Sequence, residues 1–291
     1  MEAHQFAYLS KTALDWPRCL AHSLGYVRQS WAAQWVGLPC LLEHCADFLH
    51  LNQATLTPTT ACLLAAAREL AIHIEAESAS TSAAAEPPYH NRLHFADVLT
   101  AMTVQVAIEG AHCKAQCEGE GEGEGADWQA AMLLIALAHD FRHCGGVNAH
   151  AAQMEQQSFD ALQPFLERHG LAPGWAQRIH TVIVRSDFVA VPENHRRVSG
   201  LAFAWCTDWA TVLLNEADTM ASASPIFGPA QGHALAAEWA RAQLPAHGAV
   251  ATAQGRRDFL NSLAFSSYSA TVLGAPEAVA AQLARPGVVS A

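Results

Sequence analysis

An all-α fold is predicted for this 291-residue chain by three observations. Apolar residues recur at three- and four-residue spacing in segment after segment, as amphipathic helices require. Alternating runs of β-branched residues, which would mark strands, are rare. Alanine, the strongest helix former, dominates the composition. In chain order, the helical spacing covers Cys40 to Leu51, Ala61 to Ile74, Val98 to Ile108, Trp128 to Leu137, Ser158 to Leu166 and Ala210 to Leu214. Breaks lie between these segments. "ESASTSAAAEPP" (77–88) is expected as a loop whose prolines stop a helix and set the direction of the next segment. "EGEGEGEG" (118–125) is acidic and glycine-rich, and is expected as a mobile surface loop with no packed role. "SASPIFGPAQG" (222–232) reads as another loop, and "LPAHG" (244–248) as a third. No internal repeat and no shift of composition divides the chain.

Bulk composition narrows the function classes. The chain is 51% hydrophobic and only 15% charged, which gives it ample apolar surface for a packed core. Its formal net charge of -11 argues against a nucleic-acid polymer as partner, because such partners need a basic face. Arg196-Arg197 and Arg256-Arg257 remain local candidates for anion sites. No apolar run reaches membrane-span length, so no membrane partner is expected. The first residues lack the basic start and apolar core of a secretory signal. The eight cysteines form no CxxC pair, which reads as free thiols in a reducing, cytoplasmic setting. Cys113 and Cys117, beside His112, are a small candidate zinc site without a second ligand pair at finger spacing.

The sixteen histidines cluster where the chemistry is expected. In "PPYHNRLHFADV" (87–98), His90 and His94 are four apart and share a helix face, with Asp97 on the same side. In "MLLIALAHDFRHCGG" (132–146), His139 and Asp140 end an apolar run and His143 comes one turn later. Asp218 comes after the apolar run "WATVLL" (209–214). Each case places a metal-binding side chain at the end of an apolar helix. A buried ionised carboxylate costs several kcal/mol unless it is paired or bound to a cation. No Lys or Arg stands near Asp218 in the sequence. A divalent cation would satisfy His94, His139, Asp140 and Asp218 together and leave coordination positions open. His143 adds a site for a second, harder metal reached through water.

These motifs resemble those of the class I 3',5'-cyclic nucleotide phosphodiesterases, a branch of the HD superfamily. "YHNRLHFADV" is similar to the family's YHNxxHAxDV pattern, and "HDFRHCGGVN" to HDxxHxGxxN. "RSDF" (185–188) resembles the TDM segment, "EADTMASASP" the ADxSNPxxP segment, and "QGH" with "RRDFL" the QGD and QxxFI elements. The match runs over residues 87 to 265. The resemblance implies a compact multi-helix domain divided as 1–86 (N-terminal helices packing on the catalytic domain), 87–275 (the core) and 276–291 (a tail). It implies an enzyme that hydrolyses cyclic AMP or cyclic GMP to the nucleoside 5'-monophosphate by a metal-bridged hydroxide, as in signal transduction. It implies zinc on His94, His139, Asp140 and Asp218, with both carboxylates also facing a magnesium or manganese ion. His143 would hold the waters of that second ion, and His90 would be the general acid. Tyr89, Asn91, Asp97, Asn148 and Asp187 are the remaining motif residues expected around metals or substrate.

Departures from the pattern matter for substrate. Cys144 replaces the usual proline, and the SVLExHH segment is not recognisable, although Glu155 can stand in for its acid. The glutamine that reads the purine aligns with Arg256, while Phe259 keeps the aromatic that would stack on a base. Arginine only donates hydrogen bonds, whereas glutamine donates and accepts. Asn261 is an alternative amide. Arg256 therefore leaves open an HD-type phosphohydrolase acting on another phosphoester or nucleotide. A non-catalytic metal- or nucleotide-binding module is the third reading. Oligomeric state is not encoded in any of these features.

Overall fold

The computed structural model describes residues 15–31, 33–52, 56–80, 86–116 and 122–285. The described residues fold into α-helices and contain no strand. In order these are α1 (Trp16–Ser30), α2 (Leu38–Phe48), α3 (Pro58–Ser80), α4 (Arg92–Gln116), α5 (Glu122–Ala138), α6 (Gln153–Arg168) and α7 (Pro173–Val184). A 3-10 turn, Phe188–Ala190, leads into α8 (Val191–Val198), α9 (Thr207–Ala223) and α10 (Gly228–Arg241). The chain closes with α11 (His247–Val250), α12 (Ala253–Ser262), α13 (Tyr268–Val272) and α14 (Ala275–Leu283).

The long helix α4 is the axis of the fold. It packs against α1, α2, α5, α9 and α13, while α3 packs chiefly on α5. The apolar run in α5 explains its place: every residue from Ala130 to Ala138 has zero exposure. A helix apolar on all sides is stable only when it is surrounded. Cores of this kind respond to truncation, and a fully buried leucine cut to alanine costs about 2–5 kcal/mol. One continuous apolar cluster joins α1–α7, α9 and residues 273–275. No helix among the described residues is long and apolar enough to cross a membrane.

Several boundaries differ from the sequence expectation. The α3 helix runs to Ser80, into the segment expected as a loop; Glu, Ala and Ser tolerate helix well enough to extend it. The α5 helix begins at Glu122, inside the acidic repeat, where glutamates favour a helix N-terminus. Gly125 there is packed, since a Cβ would meet Trp205 Nε1 at 3.5 Å. The rest of the repeat before Glu122 lies outside the described residues, as does Cys117 of the candidate zinc pair. The expected loop 222–232 shrinks to residues 224–227 between α9 and α10, and α11 occupies part of 244–248. The α2 helix stops at Phe48, and Leu51 N–H returns to Ala46 O at 2.8 Å. The segment read as a tail from 276 contains most of α14, whose Val279 packs with Ala223 and Leu260.

Candidate metal centre

Helix α4 starts where Asn91 caps it. Its Oδ1 accepts from the N–H of Leu93 (2.9 Å) and His94 (3.2 Å), and its Nδ2 donates to Pro88 O (2.9 Å). The cap places His94 in the first turn of α4, almost wholly buried. His139 and Asp140 continue directly from the buried end of α5, with His139 N–H bonded to Ile135 O at 2.9 Å. Asp218 lies within α9, which packs along α4. The expectation that every ligand ends a helix thus holds for His139 and Asp140; His94 opens a helix and Asp218 sits inside one.

These four side chains converge. One ligand atom from each of His94, His139, Asp140 and Asp218 lies within 4.8 Å of all the others. His94 Nε2 is 3.1 Å from Asp140 Oδ2 and 3.3 Å from Asp218 Oδ1. His139 Nε2 is 3.1 Å from Asp140 Oδ2 and 3.7 Å from Asp218 Oδ1. His139 Nδ1 lies 3.1 Å from the Ala136 carbonyl, which takes its N–H and leaves the Nε2 lone pair directed at the carboxylates. That Nε2 is buried and satisfies no hydrogen-bond geometry. No Lys or Arg makes an ion pair with Asp140 or Asp218 among the described residues.

The electrostatics are those of a site built for positive charge. Burial alone would depress His94, but hydrogen bonds to Asp140 and Asp218 outweigh it and push it up to about 9. Burial also acts against a charged His139, and the Asp140 carboxylate overrides it and raises it well above the ordinary value. Burial raises both carboxylates, yet the histidines hold Asp140 and Asp218 well below the usual range. A divalent cation can take the place of the protons on these imidazoles. The donor set of two imidazoles and two carboxylates fits zinc or a similar ion.

A second group stands beside the first. His90 Nδ1 bonds Glu238 Oε1, and Glu238 Oε2 accepts from the N–H of Tyr89 (2.8 Å) and His90 (2.9 Å). His90 Nε2 faces Asp140 Oδ2 at 3.7 Å. His143 lies against the His90 ring, centroids 3.7 Å apart, and burial pushes it down to about 4. Gly145 N–H donates to His143 Nδ1 at 3.0 Å, so the neutral ring carries its proton on Nε2. Tyr89 packs on His90 and His94, and its Oη lies 3.2 Å from Ser222 Oγ. One cavity is lined by Tyr89, His90, His139, Asp140, His143 and Asp218. Glu155, Ser186, Phe188, Val191, Asn215 and Thr219 complete its wall. Glu238 and Asn215 are functional candidates that the sequence reading did not name. Glu238 lies in "AAEWAR" with no motif around it, and only the fold brings it to His90.

The other expected residues divide. Asn148 donates to Glu155 Oε2 at 2.9 Å and accepts from Met154 N–H, so it holds Glu155 at the cavity wall. Asp187 supports backbone: its carboxylate accepts from Ala152 N–H (2.7 Å) and Val189 N–H (3.1 Å). Asp97 turns away from the ligands and pairs with Arg28 through both oxygens. Arg256 does not line the cavity. Its guanidinium caps the end of α9, donating to Ser222 O, Ala223 O (3.3 Å) and Ser224 O (3.2 Å), and to Gln282 Oε1 (2.7 Å). Phe259 packs beside Ala223, Leu260 and Val279, and Asn261 is exposed. The base-reading position expected from sequence is therefore a structural clamp. A scan of the chain against models of known protein families gives no match, and a search of curated proteins gives none either.

Proposed function

We propose that this protein is a metal-dependent phosphohydrolase that opens a 3',5'-cyclic nucleotide, cyclic AMP or cyclic GMP, to the nucleoside 5'-monophosphate. The observation that carries this reading is a two-histidine, two-aspartate cluster facing a separately anchored histidine, His90, across one cavity. His94, His139, Asp140 and Asp218 would hold zinc, and the two carboxylates with His143 would face a neighbouring magnesium or manganese ion. When bound, such cations supply Lewis-acid chemistry, neutralising phosphoryl oxygens and acidifying water. In the reaction a bond forms between phosphorus and a water oxygen, and the bond from phosphorus to the ribose 3' oxygen breaks. His90 delivers the proton that this leaving oxygen requires. Glu238 occupies His90 Nδ1, so Nε2 is the nitrogen presented for that transfer. His143 offers its Nε2–H to hold an oxygen in place. Free thiols at Cys40, Cys45, Cys62, Cys144 and Cys206 fit a cytoplasmic setting.

The test is hydrolysis of cyclic AMP and cyclic GMP by protein supplied with zinc plus magnesium or manganese. Bis-p-nitrophenyl phosphate serves as a generic diester alongside. Turnover of a cyclic nucleotide is expected, with loss in Asp218→Ala and in His139→Ala; an unchanged rate in either variant rejects the reading. The position of Arg256 favours a second reading, in which the substrate is a different phosphoester or nucleotide. Turnover of the generic diester without cyclic-nucleotide turnover decides for it.

A further inference from the structure

A nucleotide needs a surface for its base, and neither Arg256 nor Phe259 reaches the cavity. We propose that Phe188 is the stacking platform for the aromatic base of a phosphoester ligand, with the Asn215 amide as the hydrogen-bond donor on the same cavity wall. This rests on the reading of the cavity as a phosphoester site.

Phe188 lines the cavity that holds His90, Asp140 and Asp218, yet its side chain is 54% exposed. The backbone beneath it is fastened. Asp187, itself buried, ties Phe188 to the start of α6 through Ala152 N–H, caps the 3-10 turn through Val189 N–H, and its carbonyl accepts from Ala190 N–H at 2.8 Å. Val191 continues the apolar wall on the far side of that turn. An apolar ring held half in water at the mouth of a polar cavity is suited to an aromatic partner, and stacking of bases on such rings tolerates any base.

Asn215 is oriented by a relay. Arg185 Nε donates to Asn194 Oδ1 at 3.2 Å, which leaves the Asn194 amide nitrogen facing Asn215. That nitrogen donates to Arg185 O (2.7 Å) and to Asn215 Oδ1 (3.0 Å). With its oxygen engaged, Asn215 offers its N–H groups to the cavity. Adenine and guanine both present acceptors to such a donor, so the platform requires an aromatic base and separates the two purines poorly.

The experiment is calorimetric titration of zinc- and magnesium-supplied protein with 5'-AMP, 5'-GMP and ribose 5-phosphate, for the unmodified chain, Phe188→Ala and Phe188→Trp. Both nucleotides are expected to bind on the order of ten- to a hundredfold tighter than ribose 5-phosphate. Phe188→Ala is expected to erase that preference without weakening ribose 5-phosphate, and Phe188→Trp to keep it. A preference that survives Phe188→Ala, or no preference in the unmodified chain, overturns the proposal. Cyclic AMP hydrolysis on the same preparations separates the two readings. A Phe188-dependent base preference without turnover upholds the platform and rejects the reaction. Turnover with a base preference indifferent to Phe188 does the reverse.

Discussion

Glu238 holds His90 at two points, the imidazole Nδ1 and the backbone N–H, and takes the neighbouring N–H of Tyr89 as a third bond. Glu238 is buried, so its carboxylate depends on these partners in place of water. Burial works against its charge, and His90 holds it below the ordinary glutamate range. Glu238→Gln preserves shape and removes the charge that fixes the imidazole. The turnover number is expected to fall about a hundredfold, the order of a general-acid contribution. Zinc content by elemental analysis stays that of the unmodified chain. Turnover at the original level would show that His90 needs no such anchor.

Gly145 makes that anchor possible. It has φ +75°, and a Cβ on it would meet Glu238 Cγ at 2.9 Å. Gly145→Ala is expected to lower stability by about 1 kcal/mol or more, from the left-handed backbone, and also to reduce turnover by displacing Glu238. Gly170→Ala is the matched control: φ is +65°, with nothing within 4 Å of the added carbon. It should lose stability in urea titration and retain turnover. Equal turnover in the two variants would uncouple Gly145 from Glu238.

Arg28 and Asp97 tie α1 to the turn of α4 that comes after His94. Both Asp97 oxygens take a guanidinium N–H at 2.5 Å, and Gln231 Nε2 donates to one of them at 2.9 Å. Asp97 is 1% exposed, so Arg28→Ala strands a buried carboxylate and is expected to cost about 3 kcal/mol. Arg28→Ala combined with Asp97→Asn should cost less than the sum of the single changes. Urea unfolding of the four proteins measures this, and simple additivity would mean the pair does not interact.

His195 gives the fold an acid-sensitive point away from the metal cluster. Its Nδ1 lies 2.7 Å from Ser266 Oγ, its Nε2 is buried without a hydrogen-bond partner, and burial pushes it down to about 4. The unfolded chain takes up this proton near pH 6.5 and the native fold only near 4. The stability it contributes is therefore present above pH 6.5 and lost as pH falls toward 4. His195→Gln should flatten this part of the stability profile between about pH 7 and 4. An unaltered slope would assign the acid sensitivity elsewhere.

Arg256 bears on specificity by its absence from the cavity. Arg256→Gln is expected to lower thermal stability, because α9 loses its cap, while leaving the ratio of adenine to guanine nucleotide affinities unchanged. A shifted ratio would return Arg256 to the substrate site.

These same residues mark how far the sequence could be read. Helix class and three of the four clustered residues were legible because both signals are local: three- and four-residue spacing for the helices, and the second histidine of HxxxH with the HD pair for His94, His139 and Asp140, whereas Asp218 comes from a distant segment. Asn91 was visible as part of a motif, but its work as the cap of α4 depends on where that helix begins. Glu238 carries no local signature, since its meaning comes from a partner 148 positions earlier in the chain. Arg28 is likewise linked to Asp97 across 69 positions. The contacts of Arg256 were not legible, because pattern spacing records neither the direction of a side chain nor the carbonyls waiting at the end of α9. Helix ends at Ser80 and Glu122 were missed because nearby proline and glycine read as breaks, although Glu, Ala and Ser at those ends tolerate helix.

The clamp on α9 can be seen as mechanics. Glu216 on that helix grips the N–H groups of Ser266 (2.6 Å) and Ser267 (3.0 Å), and Arg256 grips its final carbonyls from α12. Asp218 rides between these two fastenings. The segment from 253 to 283 supplies no residue to the cavity wall, yet it fastens the helix that carries Asp218 on both sides of that residue. Loosening that segment would act like slackening a string whose note is heard elsewhere, so changes remote from the cavity can shift Asp218 within it.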